Sequence, residues 1–293
     1  MFIAPTKVQR FWSKYWLLLP ALCIYLAFLV YPLIYSLIVS LYNWDGVSAE
    51  KTFIALGNYV QFFTDPMSLL ILKNNLLWMI FTLIFPTSIG LLLAIVLDKQ
   101  IRGRIILRSI FYLPAILPMV SVGLIWAWIY NPFFGVINTF LRTIGLASWT
   151  HGWLAEAATA LPAVMITSLW KNTGFPMILF LAGLQSIPKE LYEAAQIDGA
   201  NRFQNFRYIT IPSLRETFII VFSLLVVNGL QVFDLIYVMT WGGPGRKTQV
   251  LATWMYFNTF IYHHAGYGSA IAWIMTIVIL LITFPYIKIM SKK

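Results

Sequence analysis

Two ionisable residues, Lys171 and Asp234, lie within long stretches of otherwise uncharged, apolar sequence. Ionisable side chains in such surroundings are costly to desolvate and commonly mark a recognition site or a polar pathway. If both stretches are membrane-spanning helices, Lys171 lies roughly 22 Å and Asp234 roughly 25 Å above the same membrane face, at about 1.5 Å per residue. We therefore expect the two to pair or to share a polar network; the alternative is that each extends to water separately.

Other polar and aromatic side chains near these residues could bind a neutral solute. Asn228 and Gln231 precede Asp234 at intervals of three residues, so on one helix they would form a slanting polar stripe facing the bundle interior. The sequence Gly174-Phe-Pro predicts a helix break, and broken helices often line the substrate site of transporters. The candidates for a solute pathway are Asn228, Gln231, Asp234, Trp170, Lys171, Asn172, Gly174, Trp126 and Ser121. Their amides, carboxylate and aromatic faces suit a neutral carbohydrate or polyol, although helix packing explains each residue alone equally well.

The sequence offers no evident catalytic or metal-binding cluster. A glycine-rich string at 242–248 lacks the Gly-Lys step of a phosphate-binding loop because Arg246 interrupts it. The three histidines, His151, His263 and His264, lack metal-ligand spacing, and the adjacent pair would point in different directions. Cys23 is the single cysteine, so it cannot form an internal disulfide. We expect a non-catalytic chain that binds no cofactor or metal of its own.

Composition places the chain in a membrane. Hydrophobic residues make up 60% of the 293 residues and charged residues 10%, whereas soluble proteins have about 45–50% and about 25%. The formal net charge is +10, but the basic residues lie mainly in short gaps between apolar runs. Membrane topology explains this placement more simply than nucleic-acid binding does.

Six membrane-spanning helices are expected, because runs of about 18 or more apolar residues can cross a bilayer. The uncharged or nearly uncharged runs are 15–44, 74–97, 109–141, 157–188, 217–245 and about 267–288. The first run is too long for a signal peptide and lacks a cleavage site, so it should be retained. The predicted fold is all-α, a polytopic membrane protein that forms a single transmembrane domain over 1–293.

Lysine and arginine are distributed unevenly between the two sides that these runs define. One side carries Lys7, Arg10, Lys14, Lys99, Arg102, Arg104, Arg108, Lys189, Arg202, Arg207, Arg215, Lys288, Lys292 and Lys293. The other side carries Lys51, Lys73, Arg142, Arg246 and Lys247. The excess of positive charge predicts that both termini and the segment at about 188–215 lie in the cytoplasm, with the chain in the bacterial inner membrane.

The polar segment 188–215 predicts a helix, a turn at glycine and a second helix. Pro188 and Glu190 suit the first turn of a helix, Gly199 is a natural stop, and Asn201 is a plausible N-cap for a helix that runs toward Pro212. The apolar face of the first helix would consist of Leu191, Ala194, Ala195 and Ile197. Because this helix is mainly acidic, anionic lipid headgroups would repel it. A basic groove on a partner protein is the better match for this elbow.

The elbow residues resemble the signature of permease subunits of ABC-type importers. The matching residues are Glu193, Ala194, Ala195, Gly199, Ile209, Ile211 and Pro212. The family usually has leucine where this chain has Ile211. The wider string at 182–200 is similar to the carbohydrate-uptake branch. The chain also resembles the maltose-permease F type of subunit, through motifs at Phe233-Asp234, Gly242-Gly-Pro and 266–270.

The resemblance implies a type I ABC importer permease that works with several partners. These would be a second, similar permease, two ATPase subunits that bind ATP and Mg, and an extracytoplasmic solute-binding protein. It further implies that the elbow is a coupling helix docked on an ATPase subunit. Its coupling residues would be Glu193, Ala194, Ala195, Asp198, Gly199, Ile209 and Pro212. The alternatives to sugar import are import of glycerol-phosphate or another small solute, a secondary transporter or channel, and an integral membrane enzyme.

Overall fold

The structure is a computed structural model that describes residues 16–291, and this part of the chain is predominantly helical. Its described strands form one short antiparallel ladder, in which Tyr42–Asn43 (β1) pairs with Thr52–Phe53 (β2). The all-α class predicted from the sequence is confirmed. Part of the charge pattern used for orientation, at Lys7, Arg10, Lys14, Lys292 and Lys293, lies outside the described residues.

The helices follow one another with short connections. In chain order they are α1 Leu19–Val39, α2 Gly57–Thr64, α3 Pro66–Asp98, α4 Arg104–Ile116, α5 Met119–Ile129, α6 Val136–Thr143, α7 Ala160–Asn172, α8 Gly174–Gln185, α9 Lys189–Ile197, α10 Arg202–Ser213, α11 Arg215–Leu230, α12 Asp234–Thr240, α13 Leu251–Tyr256 and α14 Ala265–Ser291. Short 3-10 helices cover Trp16–Leu18 and Ala147–Trp149. Turns of π-helix lie within α1 and α10 and follow α13 at Phe257–Ile261.

Three described helices are each long and apolar enough to cross a membrane: α1, α3 and α14 over Ala265–Ile289. The count rises to five if two bent pairs, α4 with α5 and α10 with α11, each make one span. The predicted fourth span, 157–188, contains α7 and α8, of 13 and 12 residues, separated by Thr173 alone. A polytopic helical membrane protein is therefore confirmed, while several of its spans are broken.

Two predicted spans were wrong as single straight helices. The run 109–141 bends by 99° between α4 and α5, because Leu117 is extended (ψ 143°) before Pro118, whose ring disfavours a helical conformation in the preceding residue. The run 217–245 stops being helical at Leu230 and resumes as α12 at Asp234. The intervening residues include a β-branched and an aromatic side chain, both weak helix formers.

The described chain forms two compact units, and the single domain predicted over 1–293 stays a prediction. Among the described residues, one unit comprises 16–62 together with Met255–Trp273. In it, the Asn58 amide donates to the carbonyls of Ser40 and Tyr42 at 2.8 and 2.9 Å. Only 6% of the apolar window of α1 is buried, so this helix presents most of its side chains outward.

The other unit comprises Phe63–Trp254 and the chain from Ile274 onward. One of its cores brings together α3, α8 and α11 around buried side chains that include Leu97, Phe180 and Leu214. A second core contains Trp78 of α3, together with residues of α5, α7 and α12. The first core also packs against Tyr192, Phe206 and Ile209 of the elbow, and the second includes Leu235 at the start of α12.

Candidate functional site

A polar cavity of about 260 Å³ lies within the larger unit. Four of the predicted pathway residues line it: Asn172, Asn228, Gln231 and Asp234. The remaining lining side chains include Trp78, Thr82, Ser168 and Phe233. The cavity thus combines amides, hydroxyls, one carboxylate and aromatic faces, and no lysine or arginine is among the described residues that line it.

The break between α11 and α12 supplies one wall of the cavity. Gln231 follows the last residue of α11, and Asp234 is the first residue of α12, where a carboxylate is favoured by the helix dipole. The side chains of Asn228, Gln231 and Asp234 are all exposed to this space. The single helical stripe expected of these three residues was therefore wrong, because two separate helices bring them to the same cavity.

Lys171 does not pair with Asp234 within the described structure. Its ammonium instead donates to the carbonyl oxygen of Ala115 at 2.5 Å, and the residue is only 7% exposed. The helix α4 ends one residue later, ahead of Pro118, so its last carbonyls need donors from outside the helix. Lys171 therefore caps the broken end of α4 and lies outside the cavity lining, which corrects the pairing hypothesis.

Four other predicted pathway residues also lie outside the cavity lining. The rings of Trp126 and Trp170 meet edge to face, with centroids 5.8 Å apart, and Trp126 lines a separate apolar hollow of about 340 Å³. Ser121 is exposed on α5. Gly174 begins α8, where an added Cβ would lie 2.5 Å from the carbonyl oxygen of Phe111. This glycine permits the close approach of α8 to α4.

Sequence reasoning missed the contribution of α3 to the cavity. Trp78 and Thr82 lie one helical turn apart on α3 and both line the space. The Thr82 hydroxyl is buried and has no hydrogen-bond partner among the described residues. A lone threonine in an apolar run gave little signal, because threonine can bond to its own helix backbone. Only the three-dimensional neighbourhood shows that this hydroxyl has no protein partner.

The predicted elbow is present, with the local structure expected of it. α9 begins after Pro188, and Gly199 follows it with a left-handed φ of +76°. The amide of Ala200 donates to the carbonyl of Ala195 at 2.8 Å, and that of Gly199 to Gln196 at 3.1 Å. These two bonds make a Schellman motif that ends the helix.

The second arm begins with a reciprocal cap. The Asn201 side chain accepts from the amide of Gln204, whose own side chain accepts from the amide of Asn201. This capping box satisfies two amides that would otherwise lack partners at the start of α10. The N-cap predicted at Asn201 is confirmed.

The inner side of the elbow is tied to the core of the larger unit. Tyr192 of α9 and Thr210 of α10 share a hydrogen bond between their hydroxyls at 3.0 Å. Phe206 and Ile209, together with Tyr192, pack against the buried cluster around Leu214. The two arms are therefore held to one another and to the helix bundle.

The outer side of the elbow is accessible: its first arm combines acidic with apolar groups, and its second arm adds exposed Arg202 and Arg207. Glu193, Ala194, Asp198 and Pro212 are exposed, whereas Ala195 and Ile209 are half-buried. Ile197, Phe203 and Tyr208 are 87%, 72% and 73% exposed. The predicted apolar face of Leu191, Ala194, Ala195 and Ile197 thus points mostly outward, because Tyr192 takes the inward position.

A separate segment on the opposite side of the predicted topology contains His151, one of the three histidines. Its Nδ1 lies 3.0 Å from Oε2 of Glu156, and the amide of Gly152 donates to Oε1 of Glu156 at 2.7 Å. The backbone bond from Gly152 lowers the pKa of Glu156 below its usual value, and His151 acts in the same direction. Within residues 16–291, no group of three or more His, Cys, Asp or Glu side chains is placed to hold a metal ion.

Broken spans, a polar cavity between helices and an anchored, outward-facing elbow together define a membrane permease subunit. The chain belongs to the family of binding-protein-dependent transport system inner membrane components, whose model matches residues 87–291. This confirms the resemblance to importer permeases stated from the elbow motif.

Known relatives match nearly the whole chain. The probable ABC transporter permease protein YurN of Bacillus subtilis is 37% identical over 276 residues, 94% of each chain. The trehalose/maltose transport system permease protein MalF of Thermococcus litoralis is 34% identical over 94% of this chain and 92% of its own. A solved bacterial alginate ABC transporter, in complex with an alginate pentasaccharide-bound periplasmic protein, contains a chain that matches with a TM-score of 0.85 at 25% identity, over 97% of this chain and 96% of that one.

Proposed function

We propose that this chain is the membrane-spanning permease subunit of an ATP-driven importer for a neutral sugar or sugar-like solute. The observation that carries the proposal is a polar cavity at the broken α11–α12 connection, in a chain of the binding-protein-dependent permease family. The trehalose/maltose relative and the alginate-transporting neighbour support a carbohydrate. The chain would form the pathway together with a second permease.

The chemistry of the cavity favours a neutral polyhydroxy solute. Amide and hydroxyl groups can both donate to and accept from sugar hydroxyls, and Trp78 and Phe233 offer apolar faces beside them. An anionic solute such as glycerol-phosphate would need a positively charged side chain in the cavity. The only charged side chain among the described lining residues is Asp234, which is negative. This favours sugar over glycerol-phosphate, the second candidate.

The elbow is the proposed site of coupling to the ATPase. The exposed acidic and apolar side chains of its first arm suit a partner groove that carries basic and apolar groups. The proposed coupling residues are Glu193, Ala194, Ala195, Asp198, Gly199, Ile209 and Pro212. ATP and Mg would bind two partner ATPase subunits, and this chain would supply no catalytic group. Because ATP must favour one conformation over another to drive transport, a docked elbow can transmit that preference.

The excess of lysine and arginine on the elbow side supports an inner-membrane topology with both termini in the cytoplasm. An extracytoplasmic solute-binding protein would then deliver the solute from the opposite face. The periplasmic protein seen with the alginate transporter supports such a partner.

Uptake by the assembled transporter in proteoliposomes tests the function. Radiolabelled maltose, trehalose and glycerol-phosphate are offered with the cognate solute-binding protein, with and without internal ATP. ATP-dependent uptake of a sugar supports the proposal. ATP-independent uptake would indicate a secondary transporter, and ATP-dependent uptake of glycerol-phosphate alone would replace the sugar assignment.

Charge reversal tests the coupling site. Glu193→Lys should release the ATPase subunits during co-purification, because it places a cation against the expected basic groove. Glu50→Lys is the matched control: it reverses an exposed carboxylate on the opposite predicted side of the membrane. Retention of the ATPase by the Glu193 variant, with unchanged transport, would contradict the assignment.

A further inference from the structure

Asn75 is a buried amide that joins two distant segments of the larger unit. The residue lies on α3 and is 1% exposed. Its Nδ2 donates to the carbonyl oxygen of Leu230 at 3.2 Å, and its Oδ1 accepts from the amide of Leu251 at 2.6 Å. Both partners are more than 150 residues away in the chain, with separations of 155 and 176. A buried amide with both ends engaged is a strong geometric constraint, because either end would be costly to leave unpaired.

The Leu230 carbonyl lies where the cavity wall begins. Leu230 is the last residue of α11, and the carbonyls of a final helical turn need partners from outside the helix. Gln231 follows it directly, and Asp234 starts the next helix three residues later. Both side chains line the cavity. A contact that holds the end of α11 therefore also sets the positions of Gln231 and Asp234.

The same face of α3 contributes directly to the cavity. Trp78 and Thr82 follow Asn75 by three and seven residues, so the three side chains share one face of the helix. At this crossing α11 lies close to α3, since a Cβ added at Gly229 would be 3.5 Å from the Cα of Met79. α3 therefore lines part of the cavity through Trp78 and Thr82 and also holds the end of α11 through Asn75.

We propose that Asn75 is a positioning residue for solute recognition, which holds the broken end of α11 and thereby sets the places of Gln231 and Asp234 in the cavity. The interpretation of the cavity as a solute site rests on the proposed function. The role of Asn75 in holding the end of α11 does not depend on that function.

The neighbouring Asn74 provides a matched control. It is 4% exposed on the same helix, and its Nδ2 donates to the carbonyls of Lys247 and Gln249 at 2.8 and 2.9 Å. Its bonds reach the loop before α13 and do not touch the end of α11. Asn74→Ala and Asn75→Ala therefore remove equally buried amides with different connections.

Thiol labelling tests the inference without any solute. Cys23 is the single cysteine of this chain, so Gln231→Cys in a Cys23→Ser background gives this chain one reporter thiol, which is followed on the separated subunit after labelling of the assembled transporter. Adding Asn75→Ala should change the labelling rate of this thiol by a water-soluble maleimide about fivefold, the equivalent of about 1 kcal/mol for one hydrogen bond. Asn74→Ala should leave the rate within about twofold. An unchanged rate with Asn75→Ala, or equal changes in both variants, would overturn the proposal.

A second variant and a transport readout complete the test. If Asn75→Ala fails to assemble, Asn75→Ser keeps a shorter donor and acceptor, and its labelling rate should shift in the same direction. In uptake assays with radiolabelled maltose, Asn75→Ala should raise the half-saturating concentration and leave the maximal rate nearly unchanged. Loss of maximal rate alone would overturn the recognition role. If the unmutated transporter imports no sugar, the proposed function fails while the labelling result still decides the positioning role.

Discussion

Thr82 illustrates how a single hydroxyl can gain a function from its surroundings. The group is buried beside the cavity, and the described protein provides no partner for it. A buried hydroxyl without a partner is unfavourable, so a solute hydroxyl that enters the cavity would relieve that cost. Thr82 is accordingly a candidate for a direct solute contact, in a stretch of α3, residues 76–86, that is otherwise apolar.

Thr82→Val should weaken solute binding with little change in shape. The substitution replaces the hydroxyl by a methyl group, so we expect the half-saturating sugar concentration to rise about five- to tenfold, which corresponds to loss of one hydrogen bond. Uptake measured over a range of sugar concentrations checks this expectation. Thr87→Val is the control, because the Thr87 hydroxyl is also buried and without a partner, yet lies outside the cavity lining. Equal effects of both substitutions would argue against a contact.

Lys171 has a structural role at the bend after α4 in this structure. Lys171→Met keeps the length of the side chain but leaves the Ala115 carbonyl unpaired, which should cost about 1–3 kcal/mol of stability. Thermal unfolding of the purified complex in detergent measures the effect. Lys73→Met, at an exposed site on α3, should change stability far less. Restoration of a defective Lys171→Asp variant by Asp234→Lys would contradict the capping role and revive the ion pair.

Residue types alone therefore drew attention to positions that lie at a helix end or at the cavity, but they did not predict the partners of these residues. A lysine within an apolar run is conspicuous in sequence, but the carbonyl it caps is 56 residues away and becomes available only because α4 ends. Asn228, Gln231 and Asp234 were correctly grouped, although on the wrong assumption of one continuous helix. Tertiary contacts of this kind cannot be obtained from spacing.

At the scale of elements, the elbow is the part of the molecule most completely encoded by local signals. Its local signals are a proline at its start, Gly199 at its turn and Asn201 at the next N-cap. Each of them shapes the backbone of residues close to it in sequence. The break at 231–233 has no such signal, since no proline or glycine lies between Leu230 and Asp234. The bend before α5 could have been predicted, because Pro118 restricts Leu117.

Gly199→Ala should loosen the elbow without a steric clash. Its φ is +76°, and an added Cβ would meet nothing within 4 Å, so the cost is the backbone strain of about 1 kcal/mol for a left-handed alanine. We expect weaker ATPase association, measured by co-purification over increasing salt. Gly145→Ala is the control, with φ +82° and equally open space in a segment on the opposite predicted side. Similar loss of ATPase in both variants would show a general stability effect.

At the scale of the whole molecule, the unequal charge distribution predicts which ends of the helices face the cytoplasm. The broken helices do not alter this inference, since the rule depends on the loops rather than on straight spans. Composition alone identified a membrane protein, and uninterrupted apolar length identified α1, α3 and α14. Neither composition nor apolar length could reveal the bends, because hydropathy carries no information about the direction of the backbone.

Single-cysteine labelling tests the orientation. In a Cys23→Ser background, a membrane-impermeant maleimide applied to intact cells should label Ser48→Cys and should not label Gln100→Cys, both of which are exposed positions. Permeabilised cells should label both. Labelling of Gln100→Cys in intact cells would reverse the topology and, with it, the placement of the elbow.

The Schellman motif and the capping box give the elbow its shape from hydrogen bonds between nearby residues, and the hydroxyl pair of Tyr192 and Thr210 joins its two arms. None of these residues lines the solute cavity. Substitutions in the cavity can therefore leave the proposed ATPase-docking surface of the elbow unchanged. If the elbow docks on an ATPase as proposed, a change of solute specificity in the cavity requires no matching change in the ATPase.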